Sequence, residues 1–532
     1  MRVCVCVCVC MCVCVLTVSV WLLAWLLGCC SEEGGFNPSV GALDTFWRAA
    51  ENFHTTTTNH WPTATGMLWA VSQASPLRRI HVDAELSLYQ YEPPYPNAGY
   101  ASGGFLANSV VGGNVYPGSQ QQWFTRNSEL GGFIGGAFNM VFAGVKGAPS
   151  SHCGNTNGSP YTTVSTTPVI AEKPYISMDD TGLFWLNIPA VKYNSTGVDW
   201  VSNSTRRVPF SSVYVASNST DTADTINAAL SSGLHVVLTP GVYTLEAALE
   251  VTHSGQVLMG LGLATLVPGQ GNAVITVANV DNVRIVGPMI VQASNMTTPV
   301  LVQWGDGTYA GNASAPGGIY DLFARVGGPD PFPVHAGTML HIANGHVFTD
   351  NMWLWRADHT VSGIVKNSDN PVNHGLVVDG DHVTAYGLAV EHTLKDLVMW
   401  NGDFGATYFF QSELPCELLL WPCQLCCEFD RHAVVVADDV TQQNFGDRNY
   451  TSYRVASDVT SHHGFGVGVY TYFRDYYVTV HSGIVCPTSL IPNFVNPLSV
   501  YLSGHGVLQH IIDDEGTQTW YGGARIAWLC PS

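Results

Sequence analysis

The sequence predicts an all-β solenoid, a parallel β-helix, and three observations carry that reading. The first is a repeat. Residues 380–392 read GDHVTAYGLAVEH and residues 402–414 read GDFGATYFFQSEL, with Gly-Asp, a tyrosine and a glutamate recurring at an offset of 22 residues. A period in this range is that of a solenoid whose coils stack one on the next. The second is composition: 11% of the 532 residues are charged and 54 are glycine. That balance suits short strands joined by turns better than long surface helices. The third is patterning. Runs such as QVLMGLGLATLVP and NAVITVANVDNVRIVGPMIV carry no sustained 3.6-residue period. Short regular strands also build sandwiches and propellers; the recurring offset selects the single stack.

Taken in order, residues 1–30 are a leader. MRVCVCVCVCMCVCV at 1–15 alternates Val and Cys as a GTGTGT nucleotide tract would encode, and reads as a translated microsatellite. Strict alternation in an apolar run lacks the convergent ligand spacing of a metal site. The apolar stretch that follows ends in small residues before Glu32 and Glu33, the pattern of a secretory signal. The rival reading is an uncleaved anchor, because 3–27 is long enough to span a bilayer. A lipoprotein-type cysteine at Cys29 is a looser third reading. Seven Asn-x-Ser/Thr sequons follow, at Asn157, Asn194, Asn203, Asn218, Asn295, Asn312 and Asn449. With the leader they point to a secreted, extracellular glycoprotein. Eight of 15 cysteines lie in the leader, leaving Cys153, Cys416, Cys423, Cys426, Cys427, Cys486 and Cys530 for at most three disulfides of unassigned pairing.

Beyond the leader the chain divides into two halves. Residues 36–193 hold FWRAAENF (46–53), LWAVSQASPLRRIHV (68–82) and QQQWFTRN (120–127). Trp47 and Trp69, like Glu51 and Gln73, are 22 apart, which extends the coil period into this half. The polar stretch within 194–212 reads as a linker or exposed loop. From 213 to 532 comes the main solenoid, opening with a short helix at TINAALSSG (225–233) and a strand–Pro-Gly–strand unit at HVVLTPGVYTL (235–245).

The formal charge is −20, from 20 basic and 40 acidic residues. This excludes a general nucleic-acid binder, which needs a basic footprint, and disfavours an anionic polysaccharide as partner.

Stacking converts sequence-distant carboxylates into one site, because residues one coil apart lie roughly 4.8 Å apart. Glu391 and Glu413 become such a pair. Asp358 joins the column if ADH at 357–359 aligns with VEH at 390–392. Clustered acids raise one another's pKa and keep one protonated near neutrality. Glycoside cleavage needs that arrangement: one acid for the leaving oxygen, one carboxylate for water. Stacked acids could alternatively hold Ca²⁺. Asp381 and Asp403, directly after glycine, read as solvent-facing turn residues. His359 and His392, each directly after an acid, are ligands, substrate contacts or structural histidines with equal right. In the first half, Trp47, Gln73, Gln120, Gln121, Gln122 and Trp123 have the side chains that stack on sugars and read hydroxyls, and Trp69 and Tyr408 join them as substrate-contact candidates. Each taken singly is more often core.

FWRAAENF, LWAVSQASPL, MWLWRADH, GLAVEHT and FFQSELP occur in the order found in family 55 glycoside hydrolases. The chain resembles that family, and most closely a fungal and bacterial branch carrying labels such as "adenylyl cyclase" or "coagulation factor 5/8 type". No nucleotide loop or metal-binding carboxylate motif of a cyclase is present. The resemblance implies two tandem right-handed β-helices of the pectate-lyase type and secreted, exo-acting β-1,3-glucanase activity. It also implies an inverting mechanism without metal or other cofactor. By position, Glu413 corresponds to the general acid and Glu391 to the glutamate that helps place the attacking water. Inversion needs carboxyls roughly 6.5–9.5 Å apart, wider than simple stacking supplies. A sideways offset, or a water shared between Glu391 and Gln73, would reconcile the two.

Three departures stand out. Only one Pro-Gly-x-Tyr segment exists, at 240–243, so the first helix reads as truncated. After the acid comes PCELLLWPCQLCCEFDRHAVVVADD with four cysteines. Ala49 and Pro76 occupy positions expected to be polar. The expectation is a monomeric hydrolase of a neutral polysaccharide, with Asp358, Gln73, His359 and His392 in support. The rivals are a lyase on the same fold, needing Arg356, Lys366 or Lys395 in the groove, and a non-catalytic glycan-binding protein.

Overall fold

The computed structural model describes residues 42–43, 45–56, 66–90, 98–154, 161–200, 205–329, 333–361, 363–365, 369–415, 445–446 and 449–530. The leader and the cysteine-rich stretch 416–444 lie outside the described residues. The architecture is two parallel β-solenoids joined through two small antiparallel sheets.

The first solenoid stacks Ala50–Thr55, Pro76–Val82, Phe105–Ala107, Gln122–Arg126, Asn139–Ala143 and Tyr161–Val164 on one face. Ala50 pairs with Leu77, Leu77 with Leu106, Leu106 with Thr125 and Trp123 with Met140, which are steps of 27, 29, 19 and 17 residues. The 22-residue step therefore does not operate here. Glu51 stands opposite Arg78, not Gln73, and Trp47 precedes the strand altogether. Variable corner loops set these steps, and the apolar interior of Leu77, Ile80, Leu106, Val111, Met140 and Phe142 sets the register.

The expected linker is not a loose loop. Arg206–Pro209 pairs antiparallel with Phe184–Ile188, which also pairs with Tyr175–Met178. Val191–Ser195 pairs with Thr167–Ala171. Leu186 and Val208 face each other and are buried, so hydrophobic burial holds a segment whose polar neighbours suggested solvent.

The second solenoid runs from Val213–Ala216 to Ile526–Trp528, with 22 strands among the described residues. The expected helix is present at Ala223–Ser231, started by a capping box between Thr222 and Thr225. Its apolar stripe, Ala223, Ile226, Ala229 and Leu230, packs into the first coils and covers their core. The Pro240-Gly241 turn is a corner between faces of one coil, since His235–Leu238 and Val242–Leu245 each pair with the next coil. Val213 to His235, Val236 to Leu258 and Leu376 to Val398 are all 22-residue steps. Tyr320, Asp350, Tyr386, Tyr408 and Phe465 hold one position in five successive rungs, with steps of 30, 36, 22 and 57. The 57-residue step contains the cysteine-rich stretch, yet Gly405–Glu413 pairs with the start of His462–Val485 along its whole length. The stack resumes in register beyond it.

Directly after that shared position each rung carries one left-handed residue: Asp321 (φ 48°), Asn351 (67°), Gly387 (65°), Phe409 (69°) and Gly466 (61°). The kink reverses the alternation of a strand. Tyr386 faces the other solenoid, Leu388 and Val390 turn into the core, and Ala389 and Glu391 face outward again. At Gly387 a Cβ would stand 2.9 Å from the Phe105 ring, so close approach of the two solenoids also requires glycine.

The solenoids meet across an apolar seam of Phe105, Phe124 and Val141 against Tyr320, Phe348, Tyr386, Tyr408 and Phe409. Beside it lies a buried ionic network. Arg78 bonds Asp321 at 2.7 and 2.8 Å and Asp350 at 2.6 Å. Arg126 bonds Glu172 and Asp350, and Lys173 bonds Asp321 and Glu51. Burial disfavours charge on Asp321 and Glu172, but their cationic partners hold both near 2. Such a network sets which surfaces meet more than it adds net stability.

Candidate active site

Thr384–Glu391 and Gly405–Glu413 lie side by side with Glu391 directly opposite Glu413, as the repeat predicted. The chain places each glutamate at the strand end, on the outward face that the preceding kink creates.

Their surroundings differ. Glu391 is 4% exposed, and its two oxygens accept hydrogen bonds from Trp353 Nε1 at 2.9 Å and Gln73 Nε2 at 3.1 Å. Trp353 belongs to the coil before Glu391, and Gln73 to the other solenoid. Both oxygens are thus held by groups outside the Glu413 coil. Burial pushes the Glu391 carboxyl up to about 7, against the Trp353 indole and Gln73 amide donors that favour its charge; Asp358 adds to the rise. Glu413 keeps 19% of its side chain exposed and has His392 Nε2 at 3.4 Å from Oε2. Burial, then the charges of Glu391 and Asp358, raise its carboxyl well above the ordinary range. Among the described residues no comparably strong donor offsets the rise in Glu413, whereas Glu391 has two.

Asp358 is not the third member of the stack. Trp355 stands opposite Glu391, and Asp358 follows the end of its strand, three residues beyond that register position. The motif alignment failed because the loop between the two rungs is longer than a plain coil. Asp358 still acts on both glutamates through its charge. Burial opposes that charge, but the bond from His359 Nδ1 at 2.8 Å and the nearby imidazoles hold its carboxyl at about 2. His359 is exposed and its pKa is raised by Asp358. His392, left-handed at φ 66° and buried, bridges the two rungs, its amide donating to Glu413 O at 2.9 Å.

Of the four aromatic candidates, only Trp47 reaches the cleft. Its ring packs 4.8 Å from Trp353 and 5.8 Å from Phe323, extending an aromatic wall with Phe46 and Trp355. Trp69 and Trp123 are core residues of the first solenoid, 4% and 1% exposed. Tyr408 stacks between Tyr386 and Phe465 in the seam, 5.2 and 4.6 Å from each. A tryptophan in a short strand carries no sequence signal for the face it occupies. Gln120 is structural, bonded to Val71 O, Leu88 O and the Gly103 amide. Asp381 and Asp403 are turn residues as expected, the first accepting from the Asp403 amide at 2.7 Å.

Trp353 and Gln411 escaped the sequence reading. Gln411 lies two residues before Glu413, so period-2 alternation would have put it on the same face. A cavity of about 20 Å³ is lined by Gln73, Gln122, Trp353 and Gln411 among others. Gln73 Oε1 and Gln122 Oε1 are buried without a hydrogen-bond partner among the described residues. The space is large enough for one water molecule, and these oxygens would accept from it.

This geometry can be set beside known proteins. Residues 213–413 match the LAM55 pectate lyase-like domain, from the first strand of the second solenoid to Glu413. An exo-β-1,3-glucanase from Streptomyces sp. (strain SirexAA-E / ActE) is 37% identical over 90% of this chain and 73% of its own length. The chain belongs to glycoside hydrolase family 55. Two solved structures of the family's sacteLam55A, from Streptomyces sp. SirexAA-E, superpose with a TM-score of 0.78. One is a glutamate-to-alanine variant in complex with glucose, 35% identical, matching 92% of this chain and 83% of that one. The other is 36% identical, matching 91% and 82%. Membership of family 55 bears out the all-β, pectate-lyase-like solenoid expected from the sequence.

Proposed function

We propose that this protein is a secreted glycoside hydrolase that cleaves β-1,3-glucan by an inverting acid/base mechanism. In this reading Glu413 is the general acid and Glu391 the carboxylate that holds the attacking water. The single observation that carries the assignment is the unequal environment of two stacked glutamates. The Glu413 carboxyl is raised by burial and by neighbouring charge, which favours its protonated form, and it is the more exposed, able to meet a leaving oxygen. Glu391 is held by two donors that favour its anion, Gln73 and Trp353, and both of these residues line a water-sized cavity with spare acceptors. An acid and a base set apart by environment are what the reaction needs. Trp47, half-buried and backed by Trp353, supplies an aromatic face on which a neutral sugar ring can stack. The relatives named above, an exo-β-1,3-glucanase and a protein in complex with glucose, support the same substrate class.

Support for secretion is physical. Cys153 and Cys530 form a disulfide, a bond that persists in oxidising compartments. Asn194, Asn218, Asn295, Asn312 and Asn449 are all exposed, so a glycan could be carried at each. Asn157 and Asn203 lie outside the described residues. No helix of the described residues is long and apolar enough to cross a membrane.

The lyase reading loses its strongest cation. Arg356 is fully buried, donating to the carbonyls of Asp369, Asn370 and His392. Lys366 lies outside the described residues. The deciding assay is glucose release from laminarin, with alginate and pectin alongside. Glu413→Gln should lose activity by about 10²–10⁴-fold, and should recover part of it on an aryl β-glucoside whose leaving group needs no proton. Ultraviolet-absorbing unsaturated products, or full activity in Glu413→Gln, would reject the proposal.

A further inference from the structure

Away from the cleft, two coils of the first solenoid place His54 directly opposite His81. The imidazoles stack with centroids 4.5 Å apart and planes 22° apart. Asp83 follows two residues after His81, and its amide continues the pairing by donating to Thr55 O at 3.1 Å. Both Nε2 atoms converge on one carboxylate oxygen, Asp83 Oδ1, at 2.7 Å from His54 and 3.4 Å from His81. The three potential ligand atoms all lie within 4.8 Å of one another.

Convergence of this kind is not a by-product of stacking. His346 and His382 also stack, at 4.6 Å and 6°, and continue onto Phe404. Among the described residues no ion pair joins those two rings to a common carboxylate. A second trio, His481, His510 and Asp514, is looser: its rings are tilted by 55° and Asp514 has 87% of its side chain exposed.

We propose that His54, His81 and Asp83 bind a divalent transition-metal ion of the zinc class, which staples strand Ala50–Thr55 to strand Pro76–Val82. Zinc sits about 2.0–2.2 Å from imidazole nitrogen and carboxylate oxygen, so the edges of its tetrahedron are about 3.3–3.5 Å. The His81–Asp83 edge already has that length. His54 must withdraw by about 0.7 Å, which an exposed side chain does by rotating χ1 and χ2. Two neutral imidazoles and one carboxylate suit Zn²⁺, Ni²⁺ or Cu²⁺, whereas Ca²⁺ and Mg²⁺ require more oxygen ligands. The fourth position is left to water. Binding displaces the Nε2 protons, so each ring carries its remaining proton on Nδ1. The mechanical consequence follows from topology: among the described residues Ala50–Thr55 pairs with Pro76–Val82 alone, so it is an edge that a metal would fasten.

The test uses the full chain, stripped with a chelator and titrated with ZnCl₂ by calorimetry, with melting followed in parallel. Wild type should bind one equivalent more than His54→Ala or His81→Ala, and its melting temperature should rise with Zn²⁺ but not with CaCl₂. His481→Ala should retain that equivalent. NiCl₂ should also quench the emission of Trp200, whose ring lies 5.8 Å from that of His81, and the quench should vanish in Trp200→Phe. The two histidines lie on the surface, and unchanged laminarin hydrolysis in chelator verifies that each variant is folded. Equal zinc stoichiometry in wild type and His54→Ala, or an equal melting shift with calcium, would overturn the site.

Discussion

The side-chain amide of Gln73 donates to Glu391 Oε1 at 3.1 Å, across 318 residues of chain and across the seam between two solenoids. The carboxylate assigned to the water is thus completed by the other solenoid. Docking of the two halves fixes one oxygen of Glu391, besides burying apolar surface.

Removing that contact should cost turnover and not binding. Gln73→Ala leaves the cleft walls in place but frees one oxygen of Glu391 and one partner of the cavity. A fall in kcat of about 10–100-fold with KM nearly unchanged is expected, since misplacement of a reacting group by an ångström has that scale. Steady-state kinetics on laminarin measures it, and an unchanged kcat would remove Glu391 from the water's side.

The pH profile should move in opposite directions for two neighbours of Glu391. Activity requires this carboxyl ionised, so the acidic limb follows its pKa, pushed up to about 7. Trp353→Phe removes a hydrogen bond to the anion; the pKa rises and the limb moves to higher pH by about one to two units. Asp358→Asn removes a like charge; the pKa falls and the limb moves to lower pH. Shifts of the same sign in both variants would contradict the assignment.

The carboxyl of Glu413, raised by burial, also predicts a stability effect. A carboxyl whose folded pKa exceeds its unfolded value stabilises the fold below the unfolded pKa, and that stability is lost as pH rises toward the folded pKa. Glu413→Gln cannot ionise. Its melting temperature should exceed that of wild type by a margin that grows above about pH 4.3, the unfolded value. Thermal melts at pH 4 and pH 8 give the comparison.

Arg78→Met should destabilise the seam by about 3–5 kcal/mol, because it leaves Asp321 and Asp350 short of a buried counter-charge. Denaturant midpoints report the loss. Activity should fall with it, since Gln73 and Arg78 belong to the same solenoid. Gly387→Ala should cost about 1–3 kcal/mol through its left-handed φ and the overlap with Phe105.

What was legible in the sequence is what one coil contains. Residues 391 and 413 could be paired on paper because only short corners interrupt the 22 residues between them. The short helix at the start of the second solenoid carried its own cap and apolar stripe. The expected column at Asp358 failed for the complementary reason: a longer corner loop shifts register without altering the local motif, so ADH resembles VEH but does not stack on it. Gln411 was within reach of period-2 reasoning; Trp353 was not, because its role depends on a glutamate one coil away.

By itself, then, the sequence determined the solenoid and the adjacency of Glu391 and Glu413. These depend on local periodicity and composition, which survive stacking wherever the corners between strands stay short. Only the tertiary structure decided which aromatics keep exposed surface and which fill core, with Trp47 half-buried over Trp353 and Trp69, Trp123 and Tyr408 packed away. It also decided that Gln73 and Trp353 hold Glu391 while Glu413 is left the more exposed. Those outcomes are set by how two separate stacks dock, through the Arg78–Asp321–Asp350 network and the close approach at Gly387. No repeat within either stack encodes the angle or offset at which it meets the other.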